Sequence, residues 1–236
     1  MMLYSGPSRI DDSPIMAWAT GIDRPSMNRK TGPMVQVWIM RRDVPPSDAI
    51  RMNVDSSICG GCRHRGGPGG VGRTCYVSMA RGPVTIWKAS DRDAPSPDLR
   101  AVADTGWFRT WRIGAYGDPA AVPLEVWQAL VSRARAWTGY THLWRSRLCR
   151  DAGWRRMFMA SVDSPEERDL AHARGWRTFR VRRPGDPRTP TETVCPAESG
   201  RETCSTCLAC RGTSGAFGST PGIVIDVHGP AWRKFQ

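Results

Sequence analysis

Residues 157–181 read MFMASVDSPEERDLAHARGWRTFRV. The first six residues are an apolar run of strand length. Ser164, Pro165 and Glu167 then form a helix start. Ser164 can accept a backbone N–H, proline is tolerated in the first turn, and Glu167 can reach back in a capping box. Gly175 closes the helix, and Trp176 to Val181 is a second strand. A helix between two strands implies parallel pairing with a right-handed crossover.

The same grammar extends outward. Trp111 to Tyr116 reads as a strand stopped by Gly117-Asp118-Pro119. In residues 123–137, Leu124, Trp127, Leu130, Val131, Ala134 and Trp137 fall on one helical face, with Thr138-Gly139 as the stop. Tyr140 to Trp144, Met34 to Met40 and Ile223 to Val227 add strands, and Tyr76 to Met79 and Val84 to Lys88 are strand-like. Residues 1–30, rich in Ser, Pro, Asp and Met, read as an irregular N-terminal arm, and 91–106 as a loop. Residues 31–230 form a single α/β domain, and 231–236 a C-terminal tail. A full eight-fold barrel typically takes ~250 residues. The expectation is therefore α/β with a reduced or incomplete β/α barrel, or else an open parallel α/β sheet, carrying cysteine-rich metal-binding loops at 55–75 and 195–210.

Composition narrows the setting. The 236 residues hold 34 Lys and Arg against 22 Asp and Glu, a net charge of +12. Lysine occurs only at Lys30, Lys88 and Lys234. An arginine excess of this kind favours a polyanionic partner, because the guanidinium fork matches phosphate and stacks on bases. Nucleic acid, DNA before RNA, is the expected partner, with Arg155, Arg156, Arg180, Arg182 and Arg183 as candidate contacts. A GC-rich genome explains the Arg/Lys ratio but not the net charge. No run of about 18 apolar residues spans a membrane, and no secretory signal opens the chain. Eight cysteines then read as metal ligands or free thiols in a cytoplasmic protein of a bacterial cell, a phage-infected one included.

Cys204-x2-Cys207-x2-Cys210, with Cys195 nine residues upstream, is the strongest chemical signal. Four thiolates suit tetrahedral zinc, and the run also matches a 4Fe-4S cluster. Zinc is the first expectation, and His228 could replace Cys195. The second set is Cys59-x2-Cys62 with Cys75. Its fourth ligand is His64, with Cys149 as the other candidate; alone, Cys149 reads as a small buried residue. Gly67 to Thr74, GPGGVGRT, resembles a phosphate-binding loop but lacks the helix that the chemistry needs. Three aspartates end apolar strands: Asp118, Asp163 and Asp226, with His142 and His228 similarly placed. Strand C-termini face the ligand site in parallel α/β folds, so Asp118 and Asp163 are catalytic candidates. The plain alternative is turn and cap chemistry.

KTGPMVQ (30–36), ICGGCRHR (58–65), GRTCYV (72–77), RIGAYGDPAAVP (112–123), TGYTHLW (138–144), MASVDS (159–164), GWRTFRV (175–181) and VCPAESGRETCSTCLAC (194–210) together resemble a cysteine-rich family of phage and plasmid proteins. The resemblance covers most of residues 30–230 and implies a phage setting without a defined activity. In its strand-end aspartates followed by a Cys₃-plus-one loop, the chain is also similar to the tRNA-guanine transglycosylase superfamily, which includes phage DNA 7-deazaguanine transglycosylases. That similarity implies a glycosyltransferase that exchanges guanine for a deazapurine base. Asp163 would be the nucleophile, Asp118 the acid/base, and the zinc structural. The metal run departs from that family's C-x-C-x2-C with a later His. Two other expectations stand beside it: a non-catalytic zinc-stabilised nucleic-acid-binding protein of phage replication or host takeover, and an iron–sulfur redox or radical enzyme.

Overall fold

A computed structural model describes residues 1–80, 82–213, 222–228 and 232–235. The first two strands lie where an irregular arm was expected. β1 (Met2–Pro7) and β2 (Pro14–Thr20) pair antiparallel, and β2 pairs antiparallel with β3 (Val35–Arg41). The Ser and Pro that suggest an arm in fact build the turn. Ser8 N–H donates to Ser13 O, and Asp12 takes a left-handed φ of 61°. Ile15, Met16, Ala17 and Ala19 are buried.

After β3 come α1 (Pro46–Arg51), α2 (Ser56–Cys59), α3 (Pro83–Ala89) and α4 (Leu99–Gly106). The last two replace an expected strand at 84–88 and an expected loop at 91–106. Pro83 opens α3 at a position where its missing N–H costs nothing. Asp98 caps α4 by accepting from Ala101 N–H at 2.7 Å. Tyr76 to Met79 forms no strand.

β4 (Thr110–Tyr116), α5 (Leu124–Ser132), β5 (Ala136–Thr141), α6 (Ala152–Met157), β6 (Met159–Val162), α7 (Pro165–Ala173) and β7 (Thr178–Arg182) follow. α5 stops four residues short of Ala136, because Ala136, Trp137, Thr138 and Gly139 pair with β4. The expected helix stop at Thr138-Gly139 is thus strand. Ser164 caps α7 as read, accepting from Glu167 N–H at 3.2 Å. Glu167 Oε2 reaches back to Asp163 N–H rather than to the cap residue itself. β8 (Glu192–Val194) and β9 (Gly222–Asp226) complete a nine-stranded sheet in the order β1-β2-β3-β4-β5-β6-β7-β9-β8. From β3 to β8 every pairing is parallel. Among the described residues no pairing joins β1 to β8.

The core of one face contains Trp111, Ile113, Trp127, Leu130, Trp154 and Phe158. A smaller cluster around Met159, Cys195, Ile223 and Ile225 lies on the other face. Neighbouring strands sit ~4.8 Å apart, so β4 and β9, four positions apart, would be ~19 Å apart in a flat sheet. Residues of both line one cavity of about 340 Å³.

Candidate active site

Strand periodicity builds the cavity wall. Side chains two apart share a face, and Arg112, Gly114, Tyr116 and Asp118 of the β4 segment all line it. Tyr140 and His142 from the end of β5, Phe179 and Val181 from β7, and Ile225 and Val227 from β9 complete the wall. Arg112 donates to Tyr76 Oη at 2.7 Å.

Both cysteine loops open onto this space. Cys59, Cys62 and Cys75 line one part, and Cys195, Cys204 and Cys210 another. The 55–75 loop doubles back on itself: Thr74 and Cys75 N–H donate to His64 O at 3.1 and 2.9 Å. Buried Asp55 pins it through Arg65 at 2.8 Å and Arg73 at 3.6 Å. Gly66 adopts φ 77°, and a Cβ there would meet Val71 O at 2.7 Å, so only glycine makes this turn. Gly67 to Thr74 is part of the same clasp, with Arg73 turned to Asp55. No helix follows until α3, so the phosphate-loop geometry is absent among the described residues.

The 195–210 loop crosses the sheet. Cys195 N–H donates to Val224 O in β9 at 2.8 Å. Cys204 and Ser205 N–H donate to Lys30 O and Thr31 O, just before β3, at 3.0 and 3.1 Å. Gly139 N–H in β5 donates to Cys210 O at 2.9 Å, and Arg177 donates to Ala209 O at 2.9 Å. The short helix α8 (Cys204–Cys207) ends at Leu208, whose φ is 54°.

Burial pushes the thiols of Cys59 and Cys210 well above their ordinary range and Cys62 up to about 12; Cys75, Cys195 and Cys204 shift the same way for the same reason. All eight cysteines are free of disulfides. Free, mostly half-buried thiols gathered in two loops are a soft donor set that suits zinc or an iron–sulfur cluster. Four sulfurs at ~2.3 Å from one ion sit ~3.8 Å apart. Among the described residues the only three metal-ligating atoms within 4.8 Å of one another belong to His64, His142 and Asp163. The cysteines are therefore convergent but more widely spread than a single tetrahedral ion requires.

The other expected ligands are placed differently. His64 does not turn to the thiols. Its Nδ1 is 2.8 Å from Thr74 Oγ1 and its Nε2 is 2.8 Å from Asp163 Oδ1. His228 Nε2 lies 3.2 Å from Lys30 Nζ. Cys149 is buried in the main core, where it packs as a small apolar residue.

Asp118 is buried and engaged on both oxygens. Oδ1 accepts from Ala120 N–H at 2.9 Å and Thr141 Oγ1–H at 2.7 Å, and Oδ2 accepts from His142 N–H at 2.7 Å. Burial raises its pKa against the pull of His142 and these donors. Asp163 sits at the end of β6. Burial pushes it up, but the hydrogen bond and charge of His64 outweigh burial and hold it below the usual range. Asp226 is paired with Arg182 at 2.7 Å.

No protein-family model, curated protein or solved structure matches this chain. Its function must be argued from the site.

Of the arginines expected to touch phosphate, two are spent inside the fold. Arg180 makes a buried two-pronged pair with Glu192, at 2.6 and 2.8 Å. Arg182 holds Asp226. Arg183 and Arg156 are exposed and Arg155 half-buried, its carbonyl accepting from Thr213 N–H. Arg112, Tyr76 and Tyr140 line the cavity but were not among the expected site residues. The signal was present in WRIGAY, where a charged residue occupies an inward strand position between Trp111 and Ile113.

Proposed function

We propose that the protein is an iron–sulfur redox or radical enzyme, and that its substrate occupies the cavity between the two cysteine loops. The observation that carries this reading is that six cysteines from two separate loops line a single cavity. A structural zinc site is closed, with four ligands around one ion and no need of a substrate space. Here six of the cysteines line the space, and ligation of a cluster would ask for sulfurs farther apart than a single ion does. Cys195, Cys204, Cys207 and Cys210 can hold a four-thiolate cluster. Cys59, Cys62 and Cys75 would supply three, since His64 is turned to Asp163, and a second cluster held by three thiolates would keep a ligand position for substrate. A bound cluster supplies one-electron chemistry. Within this chain Arg112 and Lys30 place positive charge beside the thiolates of the second loop, and Tyr116 and Tyr140 wall the substrate space. In this reading the sheet, its parallel strands in near-sequential order around the cavity, is an incomplete β/α barrel.

The +12 charge supports a nucleic acid or nucleotide as substrate, in the cytoplasm of a bacterial cell, a phage-infected one included. Exchange of guanine for a 7-deazaguanine keeps one supporting observation, the Asp163 carboxylate held below its usual pKa beside His64 at a strand end. Asp118 supports it less, because three protein donors already occupy its oxygens.

The deciding experiment is anaerobic purification with iron and sulfide analysis and visible spectroscopy. A brown protein with about eight irons per chain is expected for two 4Fe-4S clusters. Colourless protein with stoichiometric zinc overturns the reading. Nucleoside mass spectrometry on cells expressing the wild type or Asp163→Ala then tests base exchange directly.

A further inference from the structure

Beyond the cysteines, the described residues contain one other set of metal-ligating atoms, and it uses harder donors. His64 comes from the clasp after β3, His142 from the end of β5 and Asp163 from the end of β6. One ligand atom of each lies within 4.8 Å of the others. His64 Nε2 and Asp163 Oδ1 are 2.8 Å apart, and ligands held ~2.1 Å from one ion sit ~3 Å apart when adjacent. We propose that these three residues form a mononuclear site for a first-row divalent cation, with its remaining coordination positions open to the cavity.

Four observations carry this. The first is orientation. His64 Nδ1 is fixed by Thr74 Oγ1 at 2.8 Å, which leaves Nε2 as the ligating nitrogen. A second hydrogen bond of this kind is how ligating histidines are held. The second is His142. Its backbone N–H is anchored by Asp118, while its ring makes no hydrogen bond among the described residues. The ring instead stands edge-on to His64, with centroids 5.7 Å apart. An Asp–His pair acting alone has no use for a second imidazole aimed at the same point; a shared cation does. The third is access: both imidazoles line the cavity. The fourth is shielding. Phe235 stacks on His64 at 5.4 Å, and the side chains of His64 and Asp163 are largely buried.

Two imidazoles and one carboxylate favour iron(II), manganese(II) or zinc over magnesium or calcium. Three protein ligands leave room for water or a substrate oxygen or nitrogen. The site is therefore suited to hold and polarise a substrate's chelating group, next to the thiols but chemically distinct from them. It does not depend on whether the cysteines carry clusters.

Manganese(II) is the probe, because it prefers N and O donors and competes poorly for thiolates. Purified full-length protein is titrated with Mn2+, and free ion is read by its electron paramagnetic resonance signal. One Mn2+ per chain is expected. His142→Gln and Asp163→Asn, which keep size and polarity, should each weaken binding by at least about tenfold, and Thr74→Val by about tenfold through the loosened His64 ring. Circular dichroism and thermal unfolding of each variant confirm the fold. Glu125→Gln, an exposed carboxylate on α5 outside both the triad and the cysteine loops, should bind Mn2+ as the wild type does. Wild-type protein that takes up no Mn2+ at about 1 mM, or triad variants that fold and bind equally well, overturn the site. Iron–sulfur content measured on the same samples tests the cysteine reading separately, so either idea can fail without the other.

Discussion

Arg180→Ala separates two roles for the basic residues of β7. The guanidinium is buried, with 4% of its side chain exposed, and Glu192 opposite is 0% exposed. Arg180 Nε and Nη2 donate to the two carboxylate oxygens at 2.6 and 2.8 Å, and Nη2 also donates to Pro187 O at 3.1 Å. Glu192 Oε2 accepts from Thr189 N–H at 2.9 Å. Burial pushes Glu192 up, but the bonds from Arg180 and Thr189 win and hold it below its ordinary 4.5. Removing one member strands a buried charge, which costs about 3–5 kcal/mol. With a urea slope of roughly 2–3 kcal/mol/M for a chain of this size, the midpoint should fall by about 1–2.5 M. Glu192→Ala should do the same. The double replacement Arg180→Met with Glu192→Leu should recover most of the loss, since an apolar pair avoids desolvating two charges. The pH dependence has a definite sign. A carboxylate depressed in the folded state contributes stability above about 4.5, its unfolded value, and loses it as pH falls through the lower folded value. Glu192→Gln should flatten that acid limb. If Arg180→Ala instead leaves the urea midpoint unmoved and lowers the salt dependence of DNA binding by about one ion, Arg180 is a phosphate contact and the reasoning is wrong.

Other substitutions test neighbouring arguments. Asp118→Ala orphans the N–H groups of Ala120 and His142, which should cost about 2–6 kcal/mol at about 1–3 per group; urea unfolding reads it, and a loss below 1 kcal/mol would mean the carboxylate is not holding the turn. Gly106→Ala should destabilise by about 1–3 kcal/mol or more, because a Cβ there runs into the Leu130 carbonyl where α4 meets α5; an unchanged melting curve would contradict that contact. Cys59→Ser and Cys207→Ser should each remove about four irons of the eight expected, one cluster at a time. Loss of all iron from either variant alone would argue for a single shared centre.

The parallel heart of the fold was legible, for a physical reason. Residues 157–181 carry a strand, a capped helix with a glycine stop and a second strand, and all three formed. Where signals were mixed, the reading failed. Val84 to Lys88 has strand-forming side chains, yet Pro83 and packing against β3 make it helical. The Ala134 and Trp137 positions continue an amphipathic helix on paper, but the pairing of Ala136 to Gly139 with β4 outweighs that local preference. Met2 to Thr20 looked irregular because its turn residues are dense; the hairpin is defined by non-local partners in β3, which local sequence does not show. The site behaved likewise. Cysteine spacing marked both loops, but only the folded chain shows that they face one cavity and that His64 turns from the thiols to Asp163, 99 positions away.

The contacts of Cys204 and Ser205 with Lys30 and Thr31 join positions more than 170 residues apart in the chain. On a ribosome these N–H donors emerge only after nearly the whole sheet has been synthesised, so the segment before β3 must wait for them. Such distant pairing makes for slow late steps in folding. A metal centre in the 195–210 loop would then act as a clasp fastened last, and chelation would loosen the junction between the entry to β3 and β9 before it disturbed the strands between. Hydrogen exchange should find those two amides among the first to open when the metal is withdrawn.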